Sequence, residues 1–149
     1  MYPPHVQGMR TGQALAIKTS DPTAHNVHGF GKVNRSFNRS QPPGAGDIVI
    51  KMRRDESHPP MKIKCDIHPW MNAYHLALDH PWGTATSSEQ GHEGEFRIEN
   101  VPVGEWKFRV WHEKTGGIGG FLEKALTVKI EADKTTTIDQ EYPASRFQR

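Results

Sequence analysis

Met61-Lys62-Ile63-Lys64-Cys65-Asp66-Ile67-His68-Pro69-Trp70-Met71 is the stretch from which the rest of the chain is read. Its first five residues alternate, which places Met61, Ile63 and Cys65 on one face of a strand. Cys65 ends that strand with its sulfur turned inward. An imidazole follows at His68 and a thioether at Met71. Cys65 is the only cysteine, so it has no intrachain disulfide partner and cannot be half of a two-cysteine zinc or redox motif. A thiolate, two imidazoles and a weak axial thioether form the ligand set of a blue-copper electron-transfer site. Cys65, His68 and Met71 supply three of the four. The fourth is expected far upstream, on another strand. His25 and His28 both lie in the segment Asp21-Pro22-Thr23-Ala24-His25-Asn26-Val27-His28, and both qualify by residue type.

The remaining pattern is one of short strands and turns. Val6 to Lys18 alternates loosely around Ala14-Leu15-Ala16-Ile17, with a Thr11-Gly12 turn. Ser20-Asp21-Pro22 reads as a turn, and Asn26-Val27-His28 as a short strand with His25 at its start. Residues 29–46, rich in Asn, Ser, Arg, Gly and Pro, read as a long loop. Residues 47–52 read as a strand, 53–60 as a polar turn and 72–78 as the return strand. On that strand Ala73, His75 and Ala77 share one face. Further on, 94–98, 106–111, 125–130 and 135–138 read as strands, with 116–120 a flexible glycine loop.

Composition bounds the function. A length of 149 residues suits one domain or two small ones. Hydrophobic content of 34% with scattered Gly and Pro suits strands and turns rather than long helices. No apolar run approaches the ~18 residues of a membrane span. Residues 1–78 carry ten Lys/Arg against five Asp/Glu, and residues 79–149 nine against twelve. The sign change supports two units and can steer a charged partner toward one of them. The basic residues are not interleaved with aromatics as a nucleic-acid groove requires. No Gly-x-Ser-x-Gly, glycine-rich phosphate loop or His-Glu-x-x-His occurs, so covalent, phosphoryl-transfer and zinc-protease chemistry have no carrier here. A two-thiolate binuclear copper centre is excluded by the single cysteine. His112-Glu113 is too weak a pair to define a second metal site.

Ala24-His25-Asn26-Val27-His28 and the C-x-x-H-x-x-M loop of Cys65 to Met71 resemble the cupredoxin family, in particular its amicyanin type. Ala24 departs from the proline that the family places before its first ligand, and the chain runs about 70 residues past the loop. The resemblance implies an all-β Greek-key sandwich over residues 1–80 holding one copper ion. It assigns the ligands to His25, Cys65, His68 and Met71, with Asn26, Asp66 and Pro69 as their supports. It also implies an apolar patch of Pro69 and Trp70, with Trp82 as a further member, where redox partner proteins dock. An alternative turns Trp70 inward. The function implied is one-electron transport, not catalysis, in the periplasm or another extracytoplasmic space. Met1-Tyr2-Pro3-Pro4-His5 has no apolar leader, so the native leader is expected to be absent from this chain.

Residues 81–143 are similar to a transthyretin-like or carboxypeptidase-regulatory-like β unit. The matching residues are Gly94-x-Phe96, Asn100-Val101-Pro102-x-Gly104 and the Trp106 to Trp111 strand. With about four strands the unit is partial, and residues 144–149 form a tail. Two rival functions remain open on sequence grounds. One is a copper carrier or structural binding module whose β tail binds a partner protein or carbohydrate. The other is an electron-entry domain of a larger oxidoreductase.

Overall fold

The computed structural model describes residues 2–115 and 118–147. Gly116 and Gly117 of the expected glycine loop, and the last two residues of the tail, lie outside them. The described chain is all-β, and none of its helices is long and apolar enough to cross a membrane. It divides into two compact units, residues 1–98 and 99–149.

The first unit contains seven strands: β1 (Val6–Arg10), β2 (Ala14–Ile17), β3 (His25–Phe30), β4 (Phe37–Gln41), β5 (Ile48–Lys51), β6 (Glu56–Lys64) and β7 (Asn72–Leu78). Five form a mixed sheet in the order β1-β7-β6-β3-β4, and β2 pairs with β5 in a second sheet. The pair β1–β7 is parallel, and the other pairs are antiparallel. The side chains facing inward from the two sheets make the core: Val27, Met61, Ile63 and Ala77 from one, Ile48 from the other, joined by Met52. Tyr2, Met9, Ile17, Phe37 and Ile50 pack around them. Alternation does this work, since every second residue of β7, Ala73, His75 and Ala77, is buried.

Three segments of the first unit depart from the sequence expectation, one of them the expected polar turn 53–60, of which Glu56 to Pro60 are the first residues of β6. Val6 to Lys18 is two strands in different sheets, because Gly12 takes φ +82 and Gln13 N–H closes a turn on the Arg10 carbonyl at 3.1 Å. The expected loop 29–46 contains β4, a polar edge strand paired to β3 from His25↔Gln41 to Gly29↔Phe37. Its side chains Asn38, Arg39 and Ser40 carry no hydrophobic alternation, so backbone pairing alone reveals it. Gly29 is required there, since a Cβ on it would lie 2.3 Å from the Phe37 ring. The turn between β3 and β4 is fixed by Glu56, the first residue of β6, whose carboxylate accepts the backbone N–H groups of Lys32, Val33 and Asn34. Burial alone would raise its pKa. Those N–H groups and the Asn34 side chain together outweigh burial and hold the carboxyl below its usual range.

The second unit is built on β8 (Gly104–Trp111) and β9 (Phe121–Ile130), antiparallel with register shifts near Val110. Leu122 and Val128 are its buried apolar side chains. The expected strands at 94–98 and 135–138 do not form. Residues 87–95 instead close a loop, with Ser87 N–H on the Glu95 carbonyl at 2.8 Å. In the other segment Thr136 turns its hydroxyl onto the Lys129 carbonyl at 3.1 Å.

His75 gives the first unit a pH dependence. It is buried, its Nδ1 meets no partner among the described residues, and burial lowers its pKa to about 4. The unfolded chain takes up that proton near pH 6.5. The native state therefore binds fewer protons across that interval, and its stability falls as the pH drops from about 6.5 through about 4. Urea-unfolding midpoints measured across this window are expected to decline in the wild type. In His75→Leu the same portion of the curve is expected to flatten.

Candidate metal centre

Three side chains meet at one end of the five-stranded sheet. His25 opens β3, Cys65 follows the last residue of β6, and His68 sits on the loop before β7. Their ligand atoms lie within 4.8 Å of one another. His25 Nδ1 is 3.9 Å from Cys65 Sγ, His68 Nδ1 is 3.7 Å from Cys65 Sγ, and the two Nδ1 atoms are 3.1 Å apart. In such a triangle the point equidistant from the corners lies about 2.1 Å from each, the length of a metal bond to imidazole nitrogen or thiolate. The donor set and its spacing fit one transition-metal ion.

The loop that makes this possible is tight. Cys65 N–H donates to the Met71 carbonyl at 3.0 Å, and Met71 N–H donates to the His68 carbonyl at 2.9 Å. Pro69 fixes its own φ and biases His68 toward extended backbone, which stiffens the turn. Met71 is buried at the loop's end. Cys65 and His25 are likewise buried, whereas His68 is partly exposed, so the centre is reached from the loop side.

Second contacts orient the ligands. His25 Nε2 is 2.9 Å from Asp21 Oδ2. A carboxylate there accepts Nε2–H and leaves Nδ1 with its lone pair toward Cys65. Asn26 Oδ1 accepts Asp66 N–H at 2.7 Å and the Cys65 S–H at 3.4 Å. Asn26 Nδ2 donates to Asp66 Oδ2 and to Asn38 Oδ1, each at 2.8 Å. Asp66 also meets Lys64 Nζ at 2.8 Å, His28 Nδ1 at 2.8 Å and Asn38 Nδ2 at 3.1 Å. Lys64, then Asn26 and His28, hold its carboxyl well below the usual carboxylate range.

The structure thus groups His25 with Cys65 and His68, and places Asn26 and Asp66 against them. Three positions along a strand reverse the face, so His28 points the other way and bonds Asp66. Trp70 is 72% exposed, its ring 5.3 Å from that of His68. Ile67, 55% exposed, and Pro69 lie beside it on the surface. Trp82 stacks on His80, ring centroids 5.7 Å apart. The sequence reading missed Asp21, Asn38 and Ile67. Asp21 had a legible signal, an acid four residues before the first ligand. Asn38 had none, because its strand was read as loop.

No family model, no curated protein and no solved structure matches the chain.

Asp21 is exposed enough for its loss to leave the core intact. Asp21→Ala is expected to weaken metal binding by about 10-fold or more, the usual effect of removing such a support. A competitive titration with a chromophoric chelator measures it. Unchanged affinity would remove Asp21 from the centre.

Proposed function

We propose that the chain is a mononuclear type 1 copper protein of the cupredoxin class, carrying single electrons between redox partner proteins rather than catalysing a reaction. The observation that supports this most is the triangle of His25 Nδ1, Cys65 Sγ and His68 Nδ1. One thiolate with two imidazoles in a trigonal arrangement, and a methionine available as a weak axial donor, is the ligand set of blue copper. Cu(II) also leads the divalent first-row metals in affinity for such nitrogen and sulfur donors. Bound copper would supply a Cu(I)/Cu(II) couple.

The chain's own residues supply the rest. Cys65, His68 and His25 would hold the ion, with Met71 as a further, weak donor. Asn26 and Asp21 fix the thiol and the first imidazole before any metal arrives. Donors held by protein hydrogen bonds move little on a change of charge, which keeps reorganisation small and transfer fast. Buried Cys65 and His25 exclude water, and half-exposed His68 is the route outward. Ile67, Pro69 and Trp70 give that route an apolar rim suited to a transient partner. The extracytoplasmic location and the cupredoxin topology of residues 1–80 belong to the same proposal.

A second reading, a copper carrier or binding module whose β tail engages a partner, is favoured by Val103 and Trp106, which are 63% and 40% exposed on the second unit. A slow or irreversible copper couple in voltammetry would select it.

Titration with Cu(II) is expected to give intense blue absorption that saturates at one copper per chain, with a narrow parallel hyperfine splitting in EPR. Cys65→Ser is expected to abolish that band, and full copper–thiolate absorption in this variant would sink the proposal. Met71→Leu is expected to keep the colour and raise the reduction potential, because removing an axial donor favours Cu(I). A voltammogram indistinguishable from wild type would exclude Met71 as a ligand.

A further inference from the structure

Tyr2 belongs to no motif of the ligand set, yet it reaches the centre. Its ring packs on the core of the first unit, and its hydroxyl donates to the Asn26 carbonyl at 2.7 Å. At the other end of this short segment, the His5 carbonyl accepts Tyr74 N–H at 2.8 Å. His5 Nδ1 also lies 3.1 Å from the Asn72 carbonyl oxygen. Residues 2–5 are therefore fastened to β3 at one end and to β7 at the other. These two strands flank β6, after whose last residue Cys65 follows.

The anchored carbonyl is that of Asn26, directly after the ligand His25. The side chain of the same residue accepts both Asp66 N–H and the Cys65 S–H. That carbonyl belongs to the peptide joining Asn26 to Val27, so a rotation there would disturb the Asn26 side chain at the thiol and, through the Asn26 backbone, its neighbour His25. Tyr2 O–H opposes that rotation, and the Pro3 and Pro4 that follow have φ fixed by their rings. Burial, and after it the negative charge of Cys65 and then of Asp66, pushes the Tyr2 phenol up to about 12. A phenol is protonated at physiological pH in any case, so the hydroxyl is a donor there.

We propose that Tyr2 is a positioning residue of the metal centre, holding the His25–Asn26 backbone over Cys65 through its hydrogen bond to the Asn26 carbonyl. The proposal deepens the copper reading and rests on it only for the identity of the ion.

Tyr2→Phe keeps the packed ring and removes the hydroxyl alone. The first readout is alkylation of Cys65 by iodoacetamide in the full chain without added metal. Loss of one ordinary hydrogen bond is expected to speed it about 2- to 12-fold. The second is the Cu(II)-titrated spectrum and potential, where a shifted thiolate band and a changed potential are expected. A purely structural anchor would move neither band nor potential. Circular dichroism checks that the variant is folded, and Tyr2→Trp offers a second ring without the phenol should it not be. Unchanged alkylation together with an unchanged band overturns the proposal. If the wild type gives no intense band with Cu(II), the copper reading fails. The alkylation rate then decides the role of Tyr2 by itself, faster supporting it and unchanged overturning it.

Discussion

The centre depends on the register between β3 and β6. Cys65 and His68 are close in sequence and need only a turn to meet. His25 lies 40 residues before Cys65 and reaches it only because β3 pairs with β6 through His28↔Lys64, Gly29↔Ile63 and Phe30↔Lys62. A slip of one residue would carry His25 to the opposite face and bury His28 in its place. The core resists that slip. Val27, Ile63 and Cys65 all turn inward, and each has essentially no exposed surface. The hydrophobic pattern that builds the sandwich therefore also selects which histidine faces the thiol.

Beyond His28↔Lys64 the ladder gives way to side chains. Continuing its register brings Asn26 opposite Asp66, and there Asn26 Oδ1 takes the Asp66 N–H that a strand carbonyl would otherwise accept. The strands can then separate enough for His68 to fold back between them and the surface. On the outer face the Asp66 carboxylate gathers Lys64, His28, Asn38 and Asn26, which ties β3, β4 and β6 together directly behind the ligands. Asn26 joins the two faces, its Oδ1 accepting the Cys65 S–H and its Nδ2 bonding Asp66 and Asn38 outside.

How legible this was depended on the range of the interaction. Cys65 and His68 could be read because loop chemistry is local and the spacing carries it. The strand Asn72–Leu78 could be read because one face is buried and the pattern alternates without interruption. His25 needed more than local pattern, since His28 is equally imidazole and only the strand's face separates the two. β4 was illegible, because an edge strand exposed to water has no hydrophobic requirement to display. Asn38 was lost with it, and so was the reason for His28. Tyr2 shows the same limit, since nothing near it in sequence indicates that its partner lies 24 residues away on β3. Farther along the chain alternation misled for the opposite reason. Gly94–Ile98 and Thr135–Ile138 alternate acceptably, but a strand needs a partner edge, and local pattern cannot supply one.

The division between buried and exposed ligands also sets what the centre can exchange with. The buried Cys65 thiol and His25 imidazole are held away from water, oriented by their hydrogen bonds to Asn26 and Asp21. Of the three grouped side chains His68 is the one open to water, and its neighbours Ile67, Pro69 and Trp70 are apolar. A charged rim here would bind water tightly and resist desolvation by a partner. An apolar rim lets a partner displace water at low cost and leave again. Asp66, next to Ile67 in sequence, is engaged by Lys64 and His28. The same ion pairs that brace the backbone beside Cys65 therefore also hold the acidic side chain that adjoins the apolar residues around His68.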